Sequence, residues 1–210
     1  MTLRTLPAAF AAAAALLATG CTTPAYVSPV EVTRFTGNAP AQLGRGSIAV
    51  VAAPGDTGAD SLEFSLYQQA VAAELSRLGY NVVRAGTPGG QVAEIALERG
   101  VNPALGGGGA RSPVSVGVGG STGGWGGGGV GLGVGINLGG GGRSNVDELY
   151  RQLRVQIRPA TGATPLWEGR ANFTASANSD YAGEQAAAGR LAQALFAGFP
   201  GESGATTEVR

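Results

Sequence analysis

The chain has 210 residues, with 14 basic and 14 acidic side chains and no net charge at pH 7. Every basic residue is arginine, and the sequence contains neither lysine nor histidine. This balance of charge argues against a nucleic-acid-binding protein, for which a basic stripe would be expected. Without histidine or lysine, Ser–His–Asp and Cys–His catalysis, the usual zinc sites, lysine Schiff bases and the Walker A phosphate grip are excluded. We therefore expect a non-enzymatic protein without a metal or other cofactor.

Residues 1–20 have the pattern of a bacterial lipoprotein signal peptide. One positive charge, Arg4, precedes an uncharged segment rich in Ala and Leu. At about 14 residues this segment is too short to span a membrane, which takes roughly 20. Cys21 follows small residues and is the only cysteine, so no internal disulfide can form. The pattern resembles a lipobox, with Ala18 in place of the commoner Leu, and predicts a lipid such as palmitate on Cys21. A general secretory signal followed by a chance cysteine is the alternative.

Cleavage before Cys21 would leave residues 21–210, enough for one domain with a core of its own. Thr22 follows the cysteine, where Asp would retain an enteric lipoprotein in the inner membrane. By that analogy we expect the outer membrane, with the domain facing the periplasm. Residues 21–28 are predicted to be a polar tether, residues 29–201 a single domain, and residues 202–210 a loose polar tail.

Six strands and two helices are predicted within the domain. The strands are at residues 30–35, 47–53, 80–84, 93–99, 149–158 and 167–175. The first helix follows Asp60, which is predicted to be its N-cap and to form a capping box with Glu63. Its apolar residues recur at three- and four-residue steps as far as Leu78. The second helix is predicted at residues 181–197.

Residues 106–142 contain 20 of the 38 glycines. Two runs in this stretch, at residues 114–119 and 130–138, alternate branched apolar residues mainly with glycine. Because successive strand residues point to opposite faces, this alternation predicts a long β-hairpin with one apolar face. Trp125 lies in its Gly-rich tip and either folds back on the domain or is an exposed anchor for a partner or a membrane interface. GxGxxG matches are unavoidable in such a stretch, and no dinucleotide site is predicted.

Arginines form an outward row on two neighbouring predicted strands. Arg154 and Arg158 alternate with apolar residues, and Arg170 takes the same side of the next strand. This row is either a solvated face or a contact for an anionic lipid, a glycan or another partner. Asp56 and Asp60 could hold calcium or act as an acid–base pair, but a turn residue and an N-cap explain both carboxylates.

The order of several motifs resembles that of bacterial lipoproteins built on domain of unknown function four-one-three-six. The matching segments are Pro29-Val30-Glu31-Val32-Thr33-Arg34-Phe35, Ser61-Leu62-Glu63-Phe64, Val71-Ala72-Ala73-Glu74-Leu75-Ser76-Arg77-Leu78-Gly79-Tyr80, Leu166-Trp167-Glu168-Gly169-Arg170-Ala171 and Phe199-Pro200-Gly201. The resemblance covers most of residues 21–210 and includes a glycine–valine hairpin at the same place. It implies an envelope location and this fold. The family has no assigned reaction, so the resemblance implies no catalytic residue.

The predicted fold is one α+β domain, with a mainly antiparallel sheet, two helices on one face and the Gly/Val-rich hairpin. The predicted function is that of an outer-membrane-anchored periplasmic lipoprotein, a non-enzymatic binding or envelope-assembly module with a protein partner. Trp125 and the arginine row are its candidate contacts. The alternative is a membrane-active or self-assembling protein that acts through the hairpin. A hydrolase based on carboxylates is a third class.

Overall fold

A computed structural model describes residues 23–56, 58–87, 90–102 and 146–210. The signal peptide at residues 1–20, Cys21 and the hairpin at residues 106–142, with Trp125, lie outside these described residues. The predictions made for them therefore stay predictions.

The described residues form a seven-stranded mixed sheet with two α-helices on one face. In chain order the elements are β1 (Val30–Thr36), a 3-10 turn (Pro40–Gln42), β2 (Ser47–Ala52), α1 (Leu62–Arg77), β3 (Asn81–Val83), β4 (Gln91–Asn102), β5 (Glu148–Pro159), β6 (Trp167–Ser176), α2 (Glu184–Phe196) and β7 (Thr206–Val209). The strand order is β3-β2-β4-β5-β6-β1-β7. Strand β2 runs parallel to β3 and β4, and the other neighbours in the described sheet are antiparallel. The predicted α+β fold is confirmed.

The strand predictions rest on alternation, and the burial of the side chains follows it. Along β6 the odd-numbered residues from Trp167 to Ala175 are buried, whereas Glu168 and Arg170 are half-buried on the other face. Strand β2 has no alternation, and its consecutive residues from Ile48 to Val50 are all buried. This burial fits its place inside the sheet, between β3 and β4.

Helix α1 buries Phe64, Tyr67, Val71 and Leu75, the face that the sequence predicts. Its N-cap is Ser61, whose Oγ accepts a hydrogen bond of 3.0 Å from the Phe64 amide. The prediction of an N-cap at Asp60 was wrong, because the helix begins one residue later. Glu63 is therefore not at the third helical position and does not complete a capping box.

Trp167, the largest buried side chain among the described residues, joins β6 to the end of α2 and the segment that follows it. Its ring stacks on Phe196 at 5.5 Å and meets Phe199 at 5.1 Å between ring centroids. The indole Nε1 donates a 2.9 Å hydrogen bond to the Pro200 carbonyl. Gly169 makes room for this ring, since a Cβ there would lie 2.4 Å from the Trp167 Cη2.

The predicted polar tether is bonded to the domain in its described part. Tyr26 and Ser176 exchange hydrogen bonds, and the Ser28 amide donates to the Thr174 carbonyl at 2.9 Å. The reason is that β1 begins at Val30 while β6 continues to Ser176, so the last backbone groups of β6 need partners. Residues 23–28 supply them and are not a free linker.

The predicted loose tail at residues 202–210 was also wrong. Thr206–Val209 forms β7 and pairs antiparallel with β1, from Thr33↔Thr206 to Val30↔Val209. Without β7 the outer side of β1 would be an open sheet edge. The β-branched Thr and Val residues of this segment suit a strand, although its polarity concealed it.

Gly169 supplies a test of this packing. Gly169→Ala should cost about 1–3 kcal/mol of unfolding free energy, because the new methyl group overlaps Trp167. Gly189→Ala is the matched control, since a Cβ there meets nothing within 4 Å and α2 should gain about 0.5–1 kcal/mol. Urea unfolding of both variants measures the difference. Equal stabilities would show that the Trp167 contact is loose.

Candidate functional site

The structure brings the three predicted arginines together on the sheet face away from the helices. Arg154 and Arg170 stand directly opposite each other across β5 and β6, and Arg158 lies further along β5. The Nε and Nη2 of Arg158 donate to the Glu94 Oε1 at 3.0 and 2.6 Å. Its Nη1 donates to the carbonyls of Pro159 and Gly162. Arg158 is thus bound within the fold.

Arg154 and Arg170 are less completely paired. The Arg154 Nη2 is 3.6 Å from the Glu98 carboxylate, and its buried Nε has no hydrogen-bond partner among the described residues. Over the same residues, no ion pair within 4.0 Å involves Arg170. Like charges that face each other across two strands repel. An acidic partner group would relieve this repulsion, so Arg154 and Arg170 remain candidate contacts.

The candidate carboxylates lie in a turn. The Asp56 Oδ1 accepts a 2.8 Å hydrogen bond from the Gly58 amide, the arrangement that aspartate commonly makes in turns. Asp60 precedes Ser61, the residue that caps α1. Within the described parts of the chain, no group of three or more Asp, Glu or Cys residues is placed to hold a metal ion.

Sequence reasoning missed a buried charge cluster under the helices. The Nε and Nη2 of Arg151 donate to the Glu184 Oε1 at 2.9 and 2.7 Å, and the Tyr67 hydroxyl donates to the Glu184 Oε2 at 2.6 Å. Arg151 also donates to the carbonyls of Tyr181 and Ala182. The cluster ties β5, α1 and α2 together. Its signal in the sequence was Arg151, the one charged residue in the inward row of its strand.

The cluster holds Glu184 as a carboxylate. Burial alone would raise the pKa of Glu184, but the hydrogen bonds from Arg151 and Tyr67 outweigh burial and hold that pKa below its usual value. Burial, followed by the hydrogen bond to Glu184, raises the pKa of Tyr67. Glu184 is therefore ionised and Tyr67 protonated near neutral pH. Both side chains are bonded to groups that hold the helices on the sheet, so their role is structural.

Thr23, Asn102 and Val146, each of which ends or begins a described range, lie at one end of the sheet, which we call the common end. The Thr23 carbonyl accepts a 2.8 Å hydrogen bond from Asn178, just after β6. The Asp147 carbonyl accepts one of 2.8 Å from the Ala177 amide. Asn102 ends β4 and pairs with Glu148 at the start of β5. The chain after Cys21 and both attachment points of residues 103–145 are therefore close together.

The common end also carries exposed apolar side chains. Leu62 is 88%, Val101 60% and Tyr26 53% exposed. Leu62 precedes Glu63, whose carboxylate binds Arg99, so α1 begins beside the last residues of β4. Tyr26 lies at the other side of this end, bonded to Ser176. We call Leu62, Val101 and Tyr26 the apolar rim.

Sequence reasoning did not identify the apolar rim. One signal was present, because Leu62 is apolar but lies outside the buried stripe of α1. Val101 lies beyond residues 93–99, where the strand was predicted, and was not considered. No helix among the described residues is long and apolar enough to cross a membrane.

No family model and no curated protein matches the sequence. Among solved structures, the fold is similar to a PelC dodecamer from Paraburkholderia phytofirmans, at 13% identity and a TM-score of 0.38, over 79% of this chain and 94% of that chain. A PelC variant from the same organism has 14% identity and a TM-score of 0.40, over 79% of this chain and 93% of that chain. A PDZ domain protein from Parabacteroides distasonis has 14% identity and a TM-score of 0.41, over 95% of this chain and 42% of that chain. Similarity at this level assigns neither a family nor an activity.

The Glu184 cluster makes stability depend on pH. Because its pKa is lowered in the folded state, the Glu184 carboxylate stabilises the fold above the unfolded value of about 4.3, and this contribution is lost as the pH falls through the folded pKa. Glu184→Gln should cost about 1–3 kcal/mol at pH 7 and progressively less below about pH 4. Urea unfolding at several pH values measures this change.

Glu74→Gln is the control for this prediction, since Glu74 pairs with the exposed Arg77 on α1. An exposed pair contributes about 0–1 kcal/mol, so this variant should change stability little at any pH. A Glu184→Gln penalty that stays constant down to pH 3 would contradict the assignment of Glu184 as an ionised, stabilising group.

Proposed function

We propose that the protein is an outer-membrane lipoprotein, facing the periplasm, that acts as a non-enzymatic binding module for another envelope protein. One observation carries the proposal. Thr23 and Tyr26 are bonded to the end of β6 and its following turn, so the chain joins the domain at a fixed point two residues after Cys21. Two residues span at most about 7 Å. A lipid on Cys21 would therefore hold the domain directly at the membrane surface.

The buried ionisable groups bind one another within the fold, which supports a binding protein rather than an enzyme. Arg151, Glu184 and Tyr67 join the helices to the sheet, and Arg158 binds Glu94. Their partners within the fold account for their burial. The resemblance to lipoproteins without an assigned reaction agrees with this proposal. A partner would therefore bind to the surface of the domain, which includes Arg154 and Arg170.

Lipidation is tested at Cys21 in cells. Cys21→Ala should abolish incorporation of labelled palmitate and release the domain from the membrane fraction, because the variant lacks the thiol that would carry the lipid. Thr22→Ala is the control, since it keeps the cysteine and should remain labelled. Palmitate incorporation that persists in Cys21→Ala would overturn the proposal of a lipid anchor.

Partner binding is tested on the open sheet face. The double variant Arg154→Gln with Arg170→Gln should reduce in-cell photo-crosslinks formed from a probe at Gln152, because an acidic partner would lose its contacts with both cations. Gln152 lies two residues before Arg154 on the same face of β5. Arg77→Gln, an exposed arginine on α1, is the control and should leave the crosslinks unchanged. Mass spectrometry identifies the crosslinked protein.

For this experiment, a melting temperature close to that of the unsubstituted protein must accompany the loss of crosslinks. Unchanged crosslinks in a folded double variant would show that the partner binds elsewhere. Trp125, which lies outside the described residues, would then be the next contact to test.

A further inference from the structure

The exposed apolar side chains are concentrated at one end of the domain. All three residues of the apolar rim belong to the common end. The remaining exposed large apolar side chain in the described chain, Phe35 at 42%, lies elsewhere. Across the sheet, Phe35 of β1 is level with Glu94 of β4, through the paired residues Glu168 and Gln156. Glu94 lies seven residues before Val101, so Phe35 is about 23 Å from Val101 in the direction of the strands. Because the apolar rim lies at a single end of the domain, it indicates that this end contacts another surface.

Val101 of the apolar rim is uncovered because strands β4 and β5 extend past the helices that pack on them. The first residues of α1 and α2 contact the sheet at Arg99 and Arg151, which stand opposite each other in β4 and β5. Val101 and its partner Leu149 lie two residues further along. They face the helix side of the sheet beyond the point where the helices begin. Val101 is left exposed and Leu149 half-buried.

We propose that the common end docks on the bilayer surface, with the apolar rim at the boundary between headgroups and acyl chains. This inference rests on the proposed lipid anchor at Cys21. Leucine and valine favour the apolar side of that boundary, and tyrosine favours sites with one apolar and one wet side. Glu63 and Arg99, which lie beside Leu62 and Val101, pair with each other, so docking brings no uncompensated charge from this pair to the lipid.

The position of the anchor favours a bilayer over a protein at this end. Thr23 belongs to the common end and lies within about 7 Å of chain from Cys21. Contact of the rim with the bilayer is then an intramolecular event at high effective concentration, so weak apolar contacts suffice to populate it. A protein partner would have to fit between the rim and the membrane that holds the domain.

Docking in this orientation fixes the rest of the molecule relative to the membrane. The strands would stand away from the bilayer, with Phe35 remote from it. Asn102 and Val146, where residues 103–145 leave and rejoin the described chain, would lie at the membrane surface. The face with Arg154 and Arg170 would remain open to the periplasm for a protein partner.

The test uses the lipidated protein, reconstituted in vesicles of phosphatidylethanolamine and phosphatidylglycerol. Single variants Leu62→Cys and Val101→Cys carry an environment-sensitive nitrobenzoxadiazole probe, and Phe35→Cys is the matched control. The lipid-linked Cys21 cannot react, so the new thiol is the only one free. Intact mass first establishes that the protein is lipidated. We expect spin-labelled lipid to quench the probes at positions 62 and 101 but not at position 35, and aqueous iodide to do the reverse.

Each other outcome overturns a stated claim. Iodide quenching of similar strength at all three positions in lipidated protein would overturn the docking inference and leave the lipid anchor intact. Shielding of positions 62 and 101 without vesicles, in proteins that also carry Cys21→Ala, would mean that another part of the chain or a second copy covers the rim. An unlipidated mass would overturn the proposed function and the docking inference together.

Discussion

Helix α2 is held at both ends by buried arginines from the sheet. At its start, Arg151 of β5 binds the first-turn carboxylate of Glu184. At its end, Arg34 of β1 donates from Nε to the Leu195 carbonyl and from Nη2 to the carbonyls of Ala194 and Ala197, each at 2.9 Å. Both charges suit the helix dipole, with the acid at the N-terminus and the cation at the C-terminus. A buried guanidinium is costly without such partners, so the position of α2 on the sheet is fixed.

This constraint explains why one end of the domain is open. Tyr67 extends the Glu184 cluster to α1, so both helices are held with their first turns beside Arg99 and Arg151. The strands β4 and β5 continue past that level, because they pair with each other as far as Asn102 and Glu148. The exposure of Val101 in the apolar rim is therefore a consequence of how the charge clusters place the helices. The chain that follows Cys21 joins the domain at the same end.

The elements that could be predicted are those whose own sequence determines them. Alternation along β5 and β6 and the apolar stripe of α1 give the strands, the helix and the buried face. Residues 23–28 and β7 were missed, because they are ordered by open backbone groups on β6 and β1 rather than by their own pattern. Arg151 stood out as a charge in an inward row, but its partner Glu184 is 33 residues away and no local pattern links them.

Three of the five segments that carry the lipoprotein resemblance, residues 29–35, 166–171 and 199–201, meet at the end of α2. Trp167 and Gly169 pack under α2, Phe199 and the Pro200 carbonyl close over the indole, and Gly201, at a φ of +81°, lies against Arg34, where a Cβ would be 2.8 Å from the Arg34 Cδ. These motifs therefore build the support of α2. A shared fold does not define a function. The function of this chain must therefore be sought in its surfaces, which include the apolar rim and the Arg154–Arg170 pair.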